Sequence, residues 1–237
     1  MKTIVIIGDS WGCGEWQRAT EPPGTQQQII SHPGLAKYLI DDGYNVVNLS
    51  QFSEGNHKLL DPLKYFVEVN QYLNIEHIFF IQTDITRSLA DRHLNLDDLA
   101  LTHTHLVNVV SQMYYHFYSR LNHNAMLANC TVNLIGGLTD LLTNIGKFKN
   151  LNFLVPSWVK LIDSSAVPAQ LVDHINMEHV ISSWKNKTEI LPYLEQSAAR
   201  FDIFRKNPEY FFPDGSHPNR HGHKLLYQHL QSLGLFH

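Results

Sequence analysis

The chain has 237 residues, 43% of them hydrophobic and 17% charged, and 18 Lys and Arg stand against 22 Asp and Glu for a formal net charge of −4. That profile belongs to a folded globular chain and excludes disorder, and the basic residues are scattered rather than gathered into a stripe, so no nucleic-acid partner is indicated. The longest apolar stretches fall well short of the roughly 18 residues that span a bilayer.

One domain over 1–237 is expected at this length. Asp9 breaks the N-terminal apolar run early, so neither a signal peptide nor a membrane anchor is expected, and the location expected is cytoplasmic. The two cysteines, Cys13 and Cys130, read as free thiols in a reducing compartment. Cys13 lies close to Ser10 and invites reading as a nucleophile, but a small loop residue is the preferred description. The 15 histidines are spread along the chain, so most are expected at the surface or in caps.

Thr3 to Ile7 is a continuous β-branched run, as in a central parallel strand covered on both faces, and it stops at Gly8. Residues 11–30, with Gly12, Gly14, Pro22, Pro23 and Gly24, show little periodicity and read as a long loop. Ser31 is then expected to cap a helix with Pro33 just inside it and Leu35, Leu39 and Ile40 on its apolar face, closed by Gly43. A second strand follows over 44–49. After the turn Ser53-Glu54-Gly55-Asn56, a helix to about Leu73 uses Leu59, Leu60, Leu63, Phe66 and Val67.

Ile78 to Ile81 forms a third strand, ending at Gln82-Thr83-Asp84. A long helix is expected over 102–122, a fourth strand over 132–135 before Gly136-Gly137, and a fifth over 151–155, stopped by Pro156. Between Ser157 and Pro213 helices and irregular segments are expected. The last helix has Asn219 as its cap, Leu225, Leu226, Leu230 and Leu233 on one side, and Gly234 just past its end. Strands alternating with helices predict an α/β fold, a doubly wound parallel sheet of about five strands between two helical layers.

Two short segments carry chemistry. Gly8-Asp9-Ser10 ends the first strand, and Asp214-Gly215-Ser216-His217-Pro218 precedes the last helix; a parallel sheet brings both to one edge. A neutral serine hydroxyl needs a base within hydrogen-bond reach and a group that fixes the base's tautomer. Ser10, His217 and Asp214 can fill those roles. Each half alone also reads as an ordinary turn or cap.

With these residues the chain resembles the GDSL or SGNH hydrolase superfamily, which includes esterases, lipases, acetylhydrolases and carbohydrate deacetylases on a flavodoxin-like sheet. The resemblance rests on Gly8-Asp9-Ser10, on Asp214-x-x-His217-Pro218-Asn219, and more weakly on Val47 to Ser50 through Gly55-Asn56. It implies a catalytic set of Ser10, His217 and Asp214, an oxyanion hole built from the backbone N–H groups of Ser10 and Gly55, and a small-molecule or carbohydrate ester as substrate. No metal or organic cofactor is implied. The third block departs from the family's Gly-x-Asn-Asp: Thr83 stands where the asparagine donor would, with Gln82 beside it and Asp84 either at the substrate or capping the next turn.

Trp11, Trp16 and Trp158 either line the acyl or sugar pocket or plug the edge of the core. His217, His221 and His223, and likewise His103 with His105, can be read as metal ligands, but on a helix His221 and His223 point in different directions, so no zinc site is expected from them. Two functions follow from different classes: a serine esterase working through an acyl-enzyme, or a catalytically weak or inactive binding module that keeps the fold, with carbohydrate as its candidate ligand. The acyl group, the leaving group and the oligomeric state have no signature in the sequence.

Overall fold

The structure is a computed structural model and describes residues 1–18, 28–52, 54–85, 103–162, 202–212 and 217–236. In chain order the elements are β1 (Thr3–Gly8), α1 (Ser10–Cys13), β2 (Glu15–Arg18), β3 (Gln28–His32), α2 (Leu35–Asp41), β4 (Asn45–Asn48) and α3 (Asn56–Val69). They continue with β5 (Ile75–Gln82), α4 (His103–Asn122), β6 (Thr131–Gly136), β7 (Leu151–Val155), α5 (Trp158–Ile162) and α6 (Arg220–Ser232). Five strands form one sheet in the order β4-β1-β5-β6-β7, and every pairing in it is parallel. This is the flavodoxin-like order, with the switch point beside β1.

The strand run predicted at the N-terminus lies inside the sheet, between β4 and β5, because it is apolar on both sides, and all six residues of β1 are buried. Alternation along the strands then sorts side chains into two cores. Val5, Ile7, Ile78, Phe80, Val132 and Leu134 pack on one face against α3 and α4. Ile4, Ile6, Phe79 and Ile81 pack on the other against α2 and α6. Burying each such side chain contributes roughly 1.5–3 kcal/mol, so these two layers hold the sheet that carries the site.

Three sequence expectations are corrected by local chemistry. The stretch 11–30 holds regular structure: α1, then β2, which pairs antiparallel with β3 (Trp16↔Ile30, Gln17↔Ile29). Ser31 is a strand residue of that hairpin rather than a helix cap; its hydroxyl donates to the Glu15 carbonyl at 3.2 Å and to Glu15 Oε1 at 3.0 Å. The helix begins later, at Leu35 after Gly34, so Pro33 precedes it. Helix α3 ends at Val69 instead of Leu73: Asn70 is its C-cap, with backbone turned out of the helical region and both its N–H and its side-chain amide donating to the Phe66 carbonyl, at 3.1 and 2.8 Å.

The strands over 45–48, 75–82, 131–136 and 151–155 and the helices over 103–122 and 220–232 fall where hydrophobic period placed them. On α6 the apolar side consists of Leu226 and Leu230 with a fully buried His223, whereas Leu233 is 46% exposed at the helix end. Of the poorly legible third, α5 and a helical turn at 202–205 are described, and 163–201 lies outside the described residues. Among the described residues no helix is long and apolar enough to cross a membrane.

Candidate active site

The C-terminal edge of the sheet gathers the ends of β1 and β5, the mouth of α3 and the segment leading into α6. Asp9 follows β1 and caps α1: its Oδ1 accepts the Trp11 N–H at 3.0 Å. Ser10 is therefore the first residue of a short helix, where a backbone N–H has no intrahelical acceptor. The chain reverses out of α1 at Gly14, whose φ of 106° and close approach to the His32 carbonyl leave no room for a β-carbon. That reversal sends β2 back alongside the nucleophile loop.

His217 comes 207 positions later, and its Nε2 lies 3.0 Å from Ser10 Oγ. Its backbone is fixed on both sides: the His217 carbonyl accepts from Phe212 N–H at 3.0 Å, and Asn219 N–H donates to Tyr210 at 2.9 Å. Asn219 caps α6 as expected, its Oδ1 accepting from His221 N–H at 2.9 Å and Gly222 N–H at 3.1 Å. Asp214 lies outside the described residues.

Gly55 is buried at the mouth of α3, with its carbonyl accepting from Lys58 and Leu59. The segment leading to it runs beside β1, since Gln51 N–H donates to the Gly8 carbonyl at 2.9 Å. The next residue, Asn56, locks the end of β5: its Oδ1 accepts from Thr83 N–H at 2.9 Å and its Nδ2 donates to the Thr83 carbonyl at 2.8 Å. Asn56 is fully buried, so this pair satisfies two main-chain groups that water does not reach.

Thr83 does not present its hydroxyl to a ligand. That hydroxyl donates to Asp9 Oδ2 at 2.5 Å, so both carboxylate oxygens of the nucleophile loop have donors. Gln82 turns toward α4, where its amide donates to the Tyr114 hydroxyl at 3.2 Å and accepts from the Tyr118 hydroxyl at 2.9 Å. Burial raises both phenols' pKa, which keeps them neutral hydrogen-bonding groups. Asp84 is fully buried behind Thr83.

The tryptophans divide between the two readings. Trp11 is 2% exposed and packs on Trp158, Phe204 and Phe211 with ring centroids 5.1, 5.7 and 6.2 Å away. Its helix turns it into the core, where it meets the fully buried Trp158. Trp16 lies at the site: its ring stands edge-on to the His217 imidazole at 4.7 Å and to Phe52 at 5.4 Å.

Cys13, one turn after Ser10, is buried, and its thiol is pushed up to about 12, first by burial and then by the Asp9 charge. At neutral pH it is a protonated packing group. His221 is exposed while His223 is wholly buried against Trp158, and burial pushes the His223 imidazole down to about 4. Among the described residues no three His, Cys, Asp or Glu side chains converge as a metal-ligand set.

Sequence reasoning missed Glu15, whose buried carboxylate binds Arg220 at the start of α6 through Nη2 at 2.8 Å, Nε at 2.9 Å and the backbone N–H at 2.7 Å. The signal available was weak: two short alternating runs flanking Pro22-Pro23-Gly24, legible as a hairpin only with its turn. In the sequence Asn56 reads as part of a turn, although an amide directly after the glycine at a helix mouth is well placed to bridge backbone.

No protein-family model matches the chain, and no curated protein matches it. Solved structures resemble it over nearly their whole length. A psychrotrophic esterase from Pseudoalteromonas sp. is 15% identical with a TM-score of 0.45, covering 97% of this chain and 94% of its own. A lipase/acylhydrolase from Enterococcus faecalis is 16% identical with a TM-score of 0.39, covering 99% and 96%. An acetylxylan esterase from Geobacillus stearothermophilus is 12% identical with a TM-score of 0.45, covering 98% and 94%. Within this chain, the strand order places Ser10 just after β1 and His217 just before α6, at one edge of the sheet.

Proposed function

We propose that the protein is a serine ester hydrolase of the GDSL/SGNH type, with Ser10 as nucleophile and His217 as base. The observation that carries the reading is the 3.0 Å contact between Ser10 Oγ and His217 Nε2, made by residues from opposite ends of the chain. In this reading Ser10 Oγ attacks the ester carbonyl as Nε2 takes its proton, forming a tetrahedral oxyanion. The backbone N–H groups of Ser10 and Gly55 stabilise that charge, and losing one such donor typically costs ~10²–10³ in turnover.

Collapse expels the alcohol, which takes the proton from His217 and leaves an acyl-Ser10 ester. Water then attacks that ester with His217 again as base, releasing the acid and restoring the serine. Asp214 is assigned to the other imidazole nitrogen, where a carboxylate holds the tautomer and stabilises the imidazolium. The substrate class is a small or carbohydrate ester, the class that the similarly folded acetylxylan esterase's name implies for that protein.

A second reading, a binding module on the same fold, is favoured by one observation. Neither side chain expected to supply a third oxyanion donor is turned to that task, since Thr83 serves Asp9 and Gln82 serves the tyrosines of α4. Hydrolysis of short-chain p-nitrophenyl esters separates the two. The hydrolase reading expects turnover that falls ~10⁴-fold or to background in Ser10→Ala and His217→Ala. Equal rates in the wild type and both variants would select the binding module.

A further inference from the structure

We infer that Glu15 and Arg220 are positioning residues for His217, and that with Trp16 they form a clamp through which the β2–β3 hairpin holds the imidazole on Ser10. The inference rests on the reading of Ser10 and His217 as nucleophile and base.

The Glu15 side chain is 7% exposed and accepts four hydrogen bonds: three from Arg220 and one from Ser31. Two of the Arg220 bonds make the fork-to-carboxylate match that fixes orientation as well as distance. The third comes from the Arg220 backbone N–H, so the carboxylate also sits on the first turn of α6, where negative charge is stabilised. Asn219 takes the next two N–H groups, and the helix that follows His217 is thereby pinned to β2.

The neighbouring residue grips the ring itself, because Trp16 stands at 75° to the imidazole plane with centroids 4.7 Å apart. Consecutive strand residues ordinarily point to opposite faces. Here the β2–β3 register shifts between Glu15 and Trp16. An irregularity of this kind re-aims a side chain, so both residues can address the 217–220 segment. One strand therefore holds the imidazole at its ring and at the helix start three residues on.

The need for such a clamp is geometric. His217 meets Ser10 across 207 positions of chain, and a displacement of about 1 Å at a reacting pair can cost on the order of 10²-fold in rate. Arg220 is itself 48% exposed, so the pair is better suited to fixing geometry than to supplying large stability.

The test is the second-order rate of fluorophosphonate labelling at Ser10, which reports Ser10 activation without substrate specificity. It is measured in Glu15→Gln and Arg220→Gln, each verified as folded by circular dichroism, and again in the His217→Ala background. The clamp predicts a loss of roughly 10–100-fold for each variant, a smaller loss in Arg220→Lys, and a change below about twofold when His217 is absent. Rates within about twofold of wild type, or equal losses in both backgrounds, overturn it.

If wild type is not labelled, the hydrolase reading fails, and the clamp is judged on the His217 Nε2–Hε1 signal in ¹⁵N NMR. A single sharp signal that splits or broadens in either Gln variant upholds the clamp; an unchanged signal overturns it.

Discussion

Replacing Glu15 by glutamine should remove a pH-dependent part of stability whose sign and window are set by the Arg220 contact. Hydrogen bonding from the Arg220 guanidinium, helped by the Arg220 N–H and Ser31 and opposed by burial, holds the Glu15 carboxyl at about 2 instead of its ordinary 4.5. A carboxyl depressed on folding stabilises the native state above its unfolded value and loses that contribution as pH falls through the folded one. The window therefore runs from about pH 5 down to about pH 2.

At about 1.36 kcal/mol per pH unit the displacement corresponds to ~3 kcal/mol. Arg220 is half exposed, and solvent screening reduces this to ~1.5 kcal/mol. For a chain of this length that is a Tm difference of about 3–6 °C. Thermal unfolding of the wild type and Glu15→Gln, followed by circular dichroism from pH 7 to pH 2, reads it directly. Wild type should be the more stable at pH 7, and the gap should close toward pH 2. A gap that stays constant across that range would refute the ion-pair reasoning.

Thr83→Val removes the donor to Asp9 Oδ2 while keeping shape; hydrogen bonds to charged groups are worth about 1.5–3 kcal/mol, so urea unfolding should show a loss of ~2 kcal/mol, largely restored in Thr83→Ser. A loss below about 0.5 kcal/mol would mean that the hydroxyl is not committed to Asp9. Cys13→Ala should keep the labelling rate within about twofold, and iodoacetamide at pH 8 should leave Cys13 unmodified in the folded protein, because the thiol is pushed up to about 12. Inactivation by alkylation at Cys13 would reverse the assignment of roles between Cys13 and Ser10.

The parts of the fold that were legible are those in which one residue pattern determines one outcome. The β-branched run Thr3–Ile7 has to be covered on both faces, and the leucines of α3 and α6 recur at helical spacing, so an interior strand and these helices follow from residue pattern alone. The β2–β3 hairpin was not legible. Its strands are short, its pairing is irregular at Glu15/Trp16, and the carboxylate that ties it to α6 has its partner 205 residues away.

The same division holds at the site. The proximity of Ser10 and His217 is legible because each stands at a predicted element end, and those ends share an edge of the sheet. Trp11 and Trp16 are chemically equivalent in a sequence. Only the turn at Gly14 sends one into the core and the other onto the imidazole. Thr83 occupied the expected position, but which acceptor its hydroxyl meets depends on the geometry of Asp9 across the sheet.

The central claim is that His217 activates Ser10 as a nucleophile. Intact-protein mass spectrometry after exposure to a fluorophosphonate tests it most directly. The account predicts a single adduct that maps to Ser10, forms far more slowly in His217→Ala and is absent in Ser10→Ala. A folded wild-type protein that acquires no adduct, or one that maps to another residue, would contradict it.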